Sequence, residues 1–356
     1  MQTHRWILAT AIVCALGACS SQSNNPADQA AADSSTATPS STPARATSSK
    51  PSIGVDLAAM DRSVKPGNNF YMYANGTWYK NTEIPADRSS VGTFLTVYKR
   101  TQKRITDIIQ HAADSNPEPG TNAARIADYY AAYMNTQAIE KHGLKPLKPK
   151  LDAIHAIDSR TDLATVLGNR LRQDVDPVNY TDFHTQHLFG LFVAQGLTDP
   201  SHNIAYLLQG GLTMPSRDYY LSDNDTMEKY RKAYKDYIEN IFKAAGIKNA
   251  DDAADNVYDL EMKIAKAQES LIDSQNVHKA NNLWKLADFS QKAPGMDWDT
   301  YFKAAGLSDQ KVIDAWQPEA IAKLSKLVAD APLESWKDLL TFHTLDHYAP
   351  LLPKKF

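Results

Sequence analysis

From Val91 to the C-terminus, apolar side chains recur at the three- and four-residue spacing of an α-helix in run after run. That periodicity confines the chain to a mainly α fold. Val91, Phe94, Leu95, Tyr98, Ile105, Ile108 and Ile109 share one face of a long amphipathic helix, with Lys99, Arg100, Lys103 and Arg104 around its polar side. Asn122 is placed to cap a second helix that carries Ile126, Tyr129, Tyr130, Tyr133 and Met134 and closes at His142-Gly143. Leu147, Leu151, Ile154 and Ile157 mark a short third, and Leu163, Val166, Leu167 and Leu171 a fourth that ends before Asp176-Pro177. Later, Met227, Tyr230, Tyr234, Ile238, Ile241 and Phe242 build a helix stopped at Gly246, and Val257, Leu260, Ile264, Ala267 and Leu271 build another. The pattern breaks at Leu188–Gln209, where LFGLFVA and NIAYLLQ are compact apolar runs separated by polar residues around Asp199-Pro200. Such runs predict a small β-hairpin inserted in a multi-helix lobe.

The folded body begins at Lys65–Pro85, where Phe70, Tyr71, Tyr73, Trp78 and Tyr79 fall between Pro66-Gly67 and Pro85. Aromatic side chains bury large areas, so this cluster is expected to anchor a core, or else to touch a substrate directly. Asn75-Gly76 is expected to turn the chain, because positive φ is cheap there.

Residues 1–19 carry a short polar start, an apolar run from Trp6 to Leu16 and then Gly17-Ala18-Cys19, which reads as an export signal. Leu16-Gly17-Ala18-Cys19 resembles the lipobox of bacterial lipoproteins, which implies lipidation of Cys19. Ser20 behind it resembles the outer-membrane sorting choice. The expectation is a lipoprotein tied to the membrane through its acyl chains and facing the periplasm or exterior, with a soluble periplasmic protein as the alternative. Residues 20–52 are rich in Ser, Thr, Ala and Pro, too poor in large apolar groups to offset ordering entropy, and are expected to form a disordered tether. The folded domain is expected over residues 53–356.

Both cysteines, Cys14 and Cys19, lie in this leader, so the body has no thiol for a disulfide, metal site or nucleophile. A formal charge of −3 and the absence of a basic block leave no electrostatic footprint for nucleic acid. No Gly-x-Ser-x-Gly elbow, phosphate-cradling glycine loop or dinucleotide fingerprint occurs.

Gln209–Leu221, QGGLTMPSRDYYL, combines two glycines, a proline, an Arg-Asp pair and two tyrosines, and predicts a loop held by side chains. With Pro66, Asn68, Phe70, Tyr73, Gly76 and Trp78 upstream, Ile84-Pro85, and Leu260-Glu261-Met262-Lys263-Ile264-Ala265-Lys266-Ala267 downstream, it is similar to the neprilysin-like zinc endopeptidase family. Trp298 with Tyr301, and Trp336–Leu339 with Phe342 and His343, resemble later landmarks. The resemblance covers about Gly54 to Phe356. It implies an exported peptidase that cleaves oligopeptides with a zinc-bound water. It also implies two helical lobes around a cavity, with residues 53–85 an aromatic module beside a catalytic lobe and residues 86–356 an incomplete covering lobe.

The family's metal motif is His-Glu-x-x-His on a helix, two zinc ligands one turn apart with the water-activating glutamate between them. It is absent here. His343-Thr344-Leu345-Asp346-His347 has the histidine spacing but Thr344 in place of the base, and reads as packing or capping at a helix end, as do His184 and His187 beside the hairpin. The resemblance therefore implies the first half of such an enzyme, with zinc the family's cofactor but none bound by this chain alone. It implies inactivity without a separately encoded catalytic half. The alternative is a non-catalytic envelope lipoprotein that binds peptides or a partner, and a complete peptidase with another site ranks last. In mammalian members an arginine after Ile-Pro binds the substrate's terminal carboxylate; in register that position is Ser90, and Arg88 is the candidate substitute. Arg217 and Asp218 are expected to act as an internal loop clamp.

Overall fold

A computed structural model describes residues 54–356 apart from 87, 89 and 180. The leader, Cys14, Cys19 and the tether lie outside the described residues. No helix among those described is long and apolar enough to cross a membrane. The chain divides at Met134 into two compact units.

In the first unit, Asn69 accepts the Met72 N–H and caps α1 (Phe70–Asn81). The helix runs straight through Asn75-Gly76, so the expected turn is not there. Gly76 serves close approach instead: a Cβ on it would lie 2.7 Å from Asp61 Cβ. Thr77 Oγ1 donates to the Met60 carbonyl at 2.7 Å, and Lys80 pairs with Asp61 at 2.6 Å, holding the preceding segment along the helix. Phe70, Tyr71 and Tyr79 are exposed, so within this unit the cluster does not form the anticipated core. Two further helices, α2 (Thr93–Asp114) and α3 (Asn122–Met134), pack on each other. Thr121, rather than Asn122, caps α3 through its hydroxyl, which accepts the Ala124 N–H at 3.2 Å. The helix expected to reach His142 ends at Met134. Asn135 accepts the Ala138 N–H and starts α4 (Thr136–His142), because an Asx side chain competes with helical backbone bonding.

The second unit begins with α4 and continues through α5 (Lys148–His155) and α6 (Arg160–Arg170), then β1 (Phe189–Gln195) and β2 (Asn203–Gln209). Those strands pair antiparallel, with Phe189 opposite Gln209 and Gln195 opposite Asn203, as the apolar runs predict. Next come α7 (Arg217–Leu221), α8 (Asp225–Ala245), α9 (Ala250–Ala267) and α10 (Leu271–Ser274). Leu271 begins its own helix rather than ending α9. After β3 (Leu283–Lys285) come α11 (Phe289–Lys292), α12 (Trp298–Ala304), β4 (Val312–Ala315), α13 (Pro318–Asp330) and α14 (Leu333–Tyr348). The hairpin extends into a four-stranded sheet of order β1-β2-β4-β3, with β4 parallel to β2 and antiparallel to β3.

The core of this unit is aromatic. Phe289 lies 4.9 Å from both Trp298 and Phe302, and Phe189 lies 5.5 Å from Trp298 and 5.8 Å from Tyr301, between ring centroids. Offset and edge contacts of this kind add to area burial. The fold is mainly α with a small mixed sheet.

Candidate functional site

The signature stretch leaves β2 at Gln209, runs irregularly through residues 210–216 and turns into α7, so RDYYL is a helical turn rather than loop. Gly210 passes so close to the preceding segment that a Cβ would lie 2.2 Å from the His187 carbonyl oxygen, and Gly211 takes φ +95° while donating to the Thr185 carbonyl. No other residue type fits both demands.

What holds the loop is Glu261 on α9, fully buried. Its Oε1 accepts the Thr213 N–H at 3.1 Å and the Thr213 hydroxyl at 2.8 Å, and faces His343 Nε2 at 2.9 Å. Its Oε2 accepts the hydroxyls of Tyr220 at 2.9 Å and Tyr234 at 2.6 Å, while Tyr220 in turn accepts the Met214 N–H. Burial, with Glu261 beside them, pushes both phenols well above the usual tyrosine range. Sequence reasoning quoted Glu261 within a motif but gave it no role. The signal was available: Val257, Leu260, Glu261 and Ile264 share one helical face, and an acid on an apolar face needs partners.

A second set of bonds ties the loop to the chain leaving α9. Arg217 donates to the Gln268 carbonyl, Gln268 Nε2 donates to the Gly210 carbonyl at 2.9 Å, and Gln209 and Glu269 exchange side-chain-to-backbone bonds at 2.8 and 3.0 Å. Arg217 is thus an internal clamp. Asp218 takes part through its backbone: its N–H donates to Ser216 Oγ and its carbonyl accepts the Ser222 N–H.

Between these segments opens a pocket of about 280 Å³, with Asp182, His184, Leu212, Pro215, Arg217 and Glu269 in its wall. His184 Nε2 is buried there without a hydrogen-bond partner. Burial, followed by the charges of Glu319 and Asp273, raises the Glu269 carboxyl above its ordinary range.

The remaining candidates fall elsewhere. His187 is half-buried; burial, then Arg170 and His343, push its imidazole down to about 3. Asp174, 3.8 Å away, is pushed up by its own burial, so both are driven toward neutrality and their contact is not an ion pair. Arg88 is exposed, with its guanidinium 5.7 Å from the Tyr98 ring centroid. His343 is buried against Glu261, whereas His347 is exposed at the last turn of α14. Among the described residues no group of three or more His, Cys, Asp or Glu side chains converges as a metal cage.

The architecture matches part of a solved zinc metalloprotease. Mycobacterium tuberculosis Zmp1 in complex with an inhibitor superposes with a TM-score of 0.71 at 26% identity, covering 85% of this chain and 45% of that one. Its open-state structure gives 0.67. The chain belongs to peptidase family M13, whose model matches residues 66–356. It is 26% identical to Drosophila melanogaster neprilysin-3 over 285 residues and 27% identical to human endothelin-converting enzyme 1 over 286, in each case 76% of this chain and 35% of the relative. The chain therefore spans about a third of the curated relatives it matches. The family is zinc-dependent; at residues 343–347 the donors do not fit zinc, since His343 Nε2 already faces Glu261 and Thr344 bonds the Leu340 carbonyl.

Proposed function

We propose that this chain is the N-terminal, non-catalytic portion of an exported neprilysin-like zinc endopeptidase acting on oligopeptides, and that residues 1–356 by themselves are inactive. The observation that carries this reading is the commitment of His343. The sequence has one pair of histidines at His-x-x-x-His spacing, and its first member is held inside the core by Glu261. Zinc hydrolysis needs two free imidazoles and a carboxylate base on one helical face. Arg88 is proposed to meet the substrate's terminal carboxylate in the assembled enzyme, and Cys19 to carry the lipid that places the protein at the outer membrane. The test is metal analysis together with cleavage of a quenched oligopeptide by the purified chain. The expected result is no stoichiometric zinc and no turnover. Turnover by the chain alone defeats the reading. A second reading, a free-standing lipoprotein that binds peptides or a partner, is supported by the pocket at the signature loop.

A further inference from the structure

We infer that the pocket beside the signature loop is a subsite for a basic side chain, a lysine or arginine of an oligopeptide; this rests on reading the chain as part of an oligopeptidase. The Glu269 backbone is bonded in both directions by the Gln209 side chain, so its carboxyl is held at the pocket wall. That half-buried carboxyl accepts no hydrogen bond from any described residue. Half-burial of an acid that no donor bonds is costly, Lys279 and Lys323 offset that cost without a hydrogen bond to it, and a cation in direct contact relieves it further. Exposed Asp182 adds a second carboxyl to the same wall, and among the described residues its Oδ1 accepts the His184 N–H. His184 Nε2, buried and unpartnered, supplies a further acceptor when the proton resides on Nδ1.

An anionic ligand is disfavoured. The wall's one arginine, Arg217, is engaged by the Gln268 carbonyl, and two carboxyls outnumber it. Leu212, Pro215 and Leu271 complete the lining with apolar surface, which suits the alkyl stem beneath a lysine or arginine head. The size agrees: about 280 Å³ lies just below the range of pockets that take a whole drug-sized ligand, and accommodates one long side chain.

The test uses the full chain and two capped tripeptides, acetyl-Ala-Lys-Ala-amide and the same peptide with norleucine in place of lysine, titrated by calorimetry at neutral pH. Capping removes the terminal charges, so the pair differs in the side-chain ammonium. The lysine peptide is expected to bind about tenfold more tightly, the scale of one charge-assisted hydrogen bond. Glu269→Gln should erase that preference with circular dichroism unchanged, and Asp182→Asn should reduce it. Equal binding of the two peptides, or binding of neither, overturns the inference, as does an unaltered preference in E269Q. Because no cleavage is read, a failure here is separate from the hydrolysis test of the peptidase reading.

Discussion

His343 Nε2 on α14 lies 2.9 Å from Glu261 Oε1 on α9, and the two side chains are 3% and 0% exposed. This contact joins two helices that are eighty-two residues apart in sequence and completes a shell of donors around one carboxyl. Removing the carboxyl strands Thr213, Tyr220, Tyr234 and His343 together. Glu261→Ala is expected to cost about 3–5 kcal/mol in urea unfolding, as for one partner removed from a buried pair, and Glu261→Gln distinctly less. In a double-mutant cycle with His343→Ala, coupling should exceed about 0.5 kcal/mol; strict additivity would show that the contact is not energetically shared.

The same contact bears on metal binding. Thr344→Glu turns residues 343–347 into the written His-Glu-x-x-His motif. The structure predicts that it will not bind zinc, because His343 remains with Glu261 and Arg170, which donates to Thr344 Oγ1 at 2.9 Å, stands beside the new carboxylate. Dialysed T344E should carry no stoichiometric zinc by mass spectrometry. One zinc per chain would mean that His343 leaves its buried partner easily.

Most helices were legible because their apolar spacing is long and regular, as in α2, α8 and α9. The hairpin was legible from two seven-residue runs. Strands β3 and β4 were not: at three and four residues they carry no readable alternation, and β4 joins the sheet through a parallel pairing with a strand about a hundred residues earlier. The exposure of Phe70, Tyr71 and Tyr79 on α1 was not legible, because composition gives no indication of exposure. The buried aromatics instead come from many later elements, among them β1, β2, α8, α11, α12 and α14, brought together by tertiary packing. At the site, Arg217 was legible as a clamp from its irregular context. Glu269 was not, since its burial and lack of a partner arise only where two distant segments meet.

Stability should depend on pH through two opposed groups. His187 titrates at about 3 in the fold but near about 6.5 unfolded, so its contribution is complete above that value and is lost as pH falls toward 3. Asp314, buried on β4 with Oδ2 unpartnered, is raised to about 7 by desolvation, against about 3.9 unfolded. Its folded form therefore binds the extra proton, and stability falls as pH rises from about 4 to 7. The two slopes overlap between about pH 4 and 6.5 and oppose one another there. Relative to wild type, His187→Asn should lose stability with rising pH across this window and Asp314→Asn should gain it, each by about 1 kcal/mol per pH unit. Urea midpoints at several pH values decide it, and parallel profiles for all three proteins would refute the assignment.

Gly168 on α6 tests how tightly that helix meets α12. A Cβ at this position would lie 2.4 Å from the Tyr301 carbonyl oxygen and 2.9 Å from Ala304 Cβ. Propensity alone favours alanine over glycine inside a helix by about 1 kcal/mol. Packing opposes it, because the atom in the way is backbone and Tyr301 is itself locked, with its ring 5.8 Å from Phe189, 5.5 Å from Trp298 and 5.6 Å from Phe302. Overpacking a fixed core costs about 1–3 kcal/mol, and here it acts on backbone that has no rotamer to change, so the clash should win. Gly168→Ala is expected to lower stability by about 1–2 kcal/mol. The exposed neighbour supplies the control: Asn169→Ala should be neutral or raise stability by a few tenths of a kcal/mol, since propensity acts there without a clash. Thermal and urea unfolding of the two variants separate the effects, and a Gly168→Ala protein as stable as wild type would mean that α6 and α12 can part without loss.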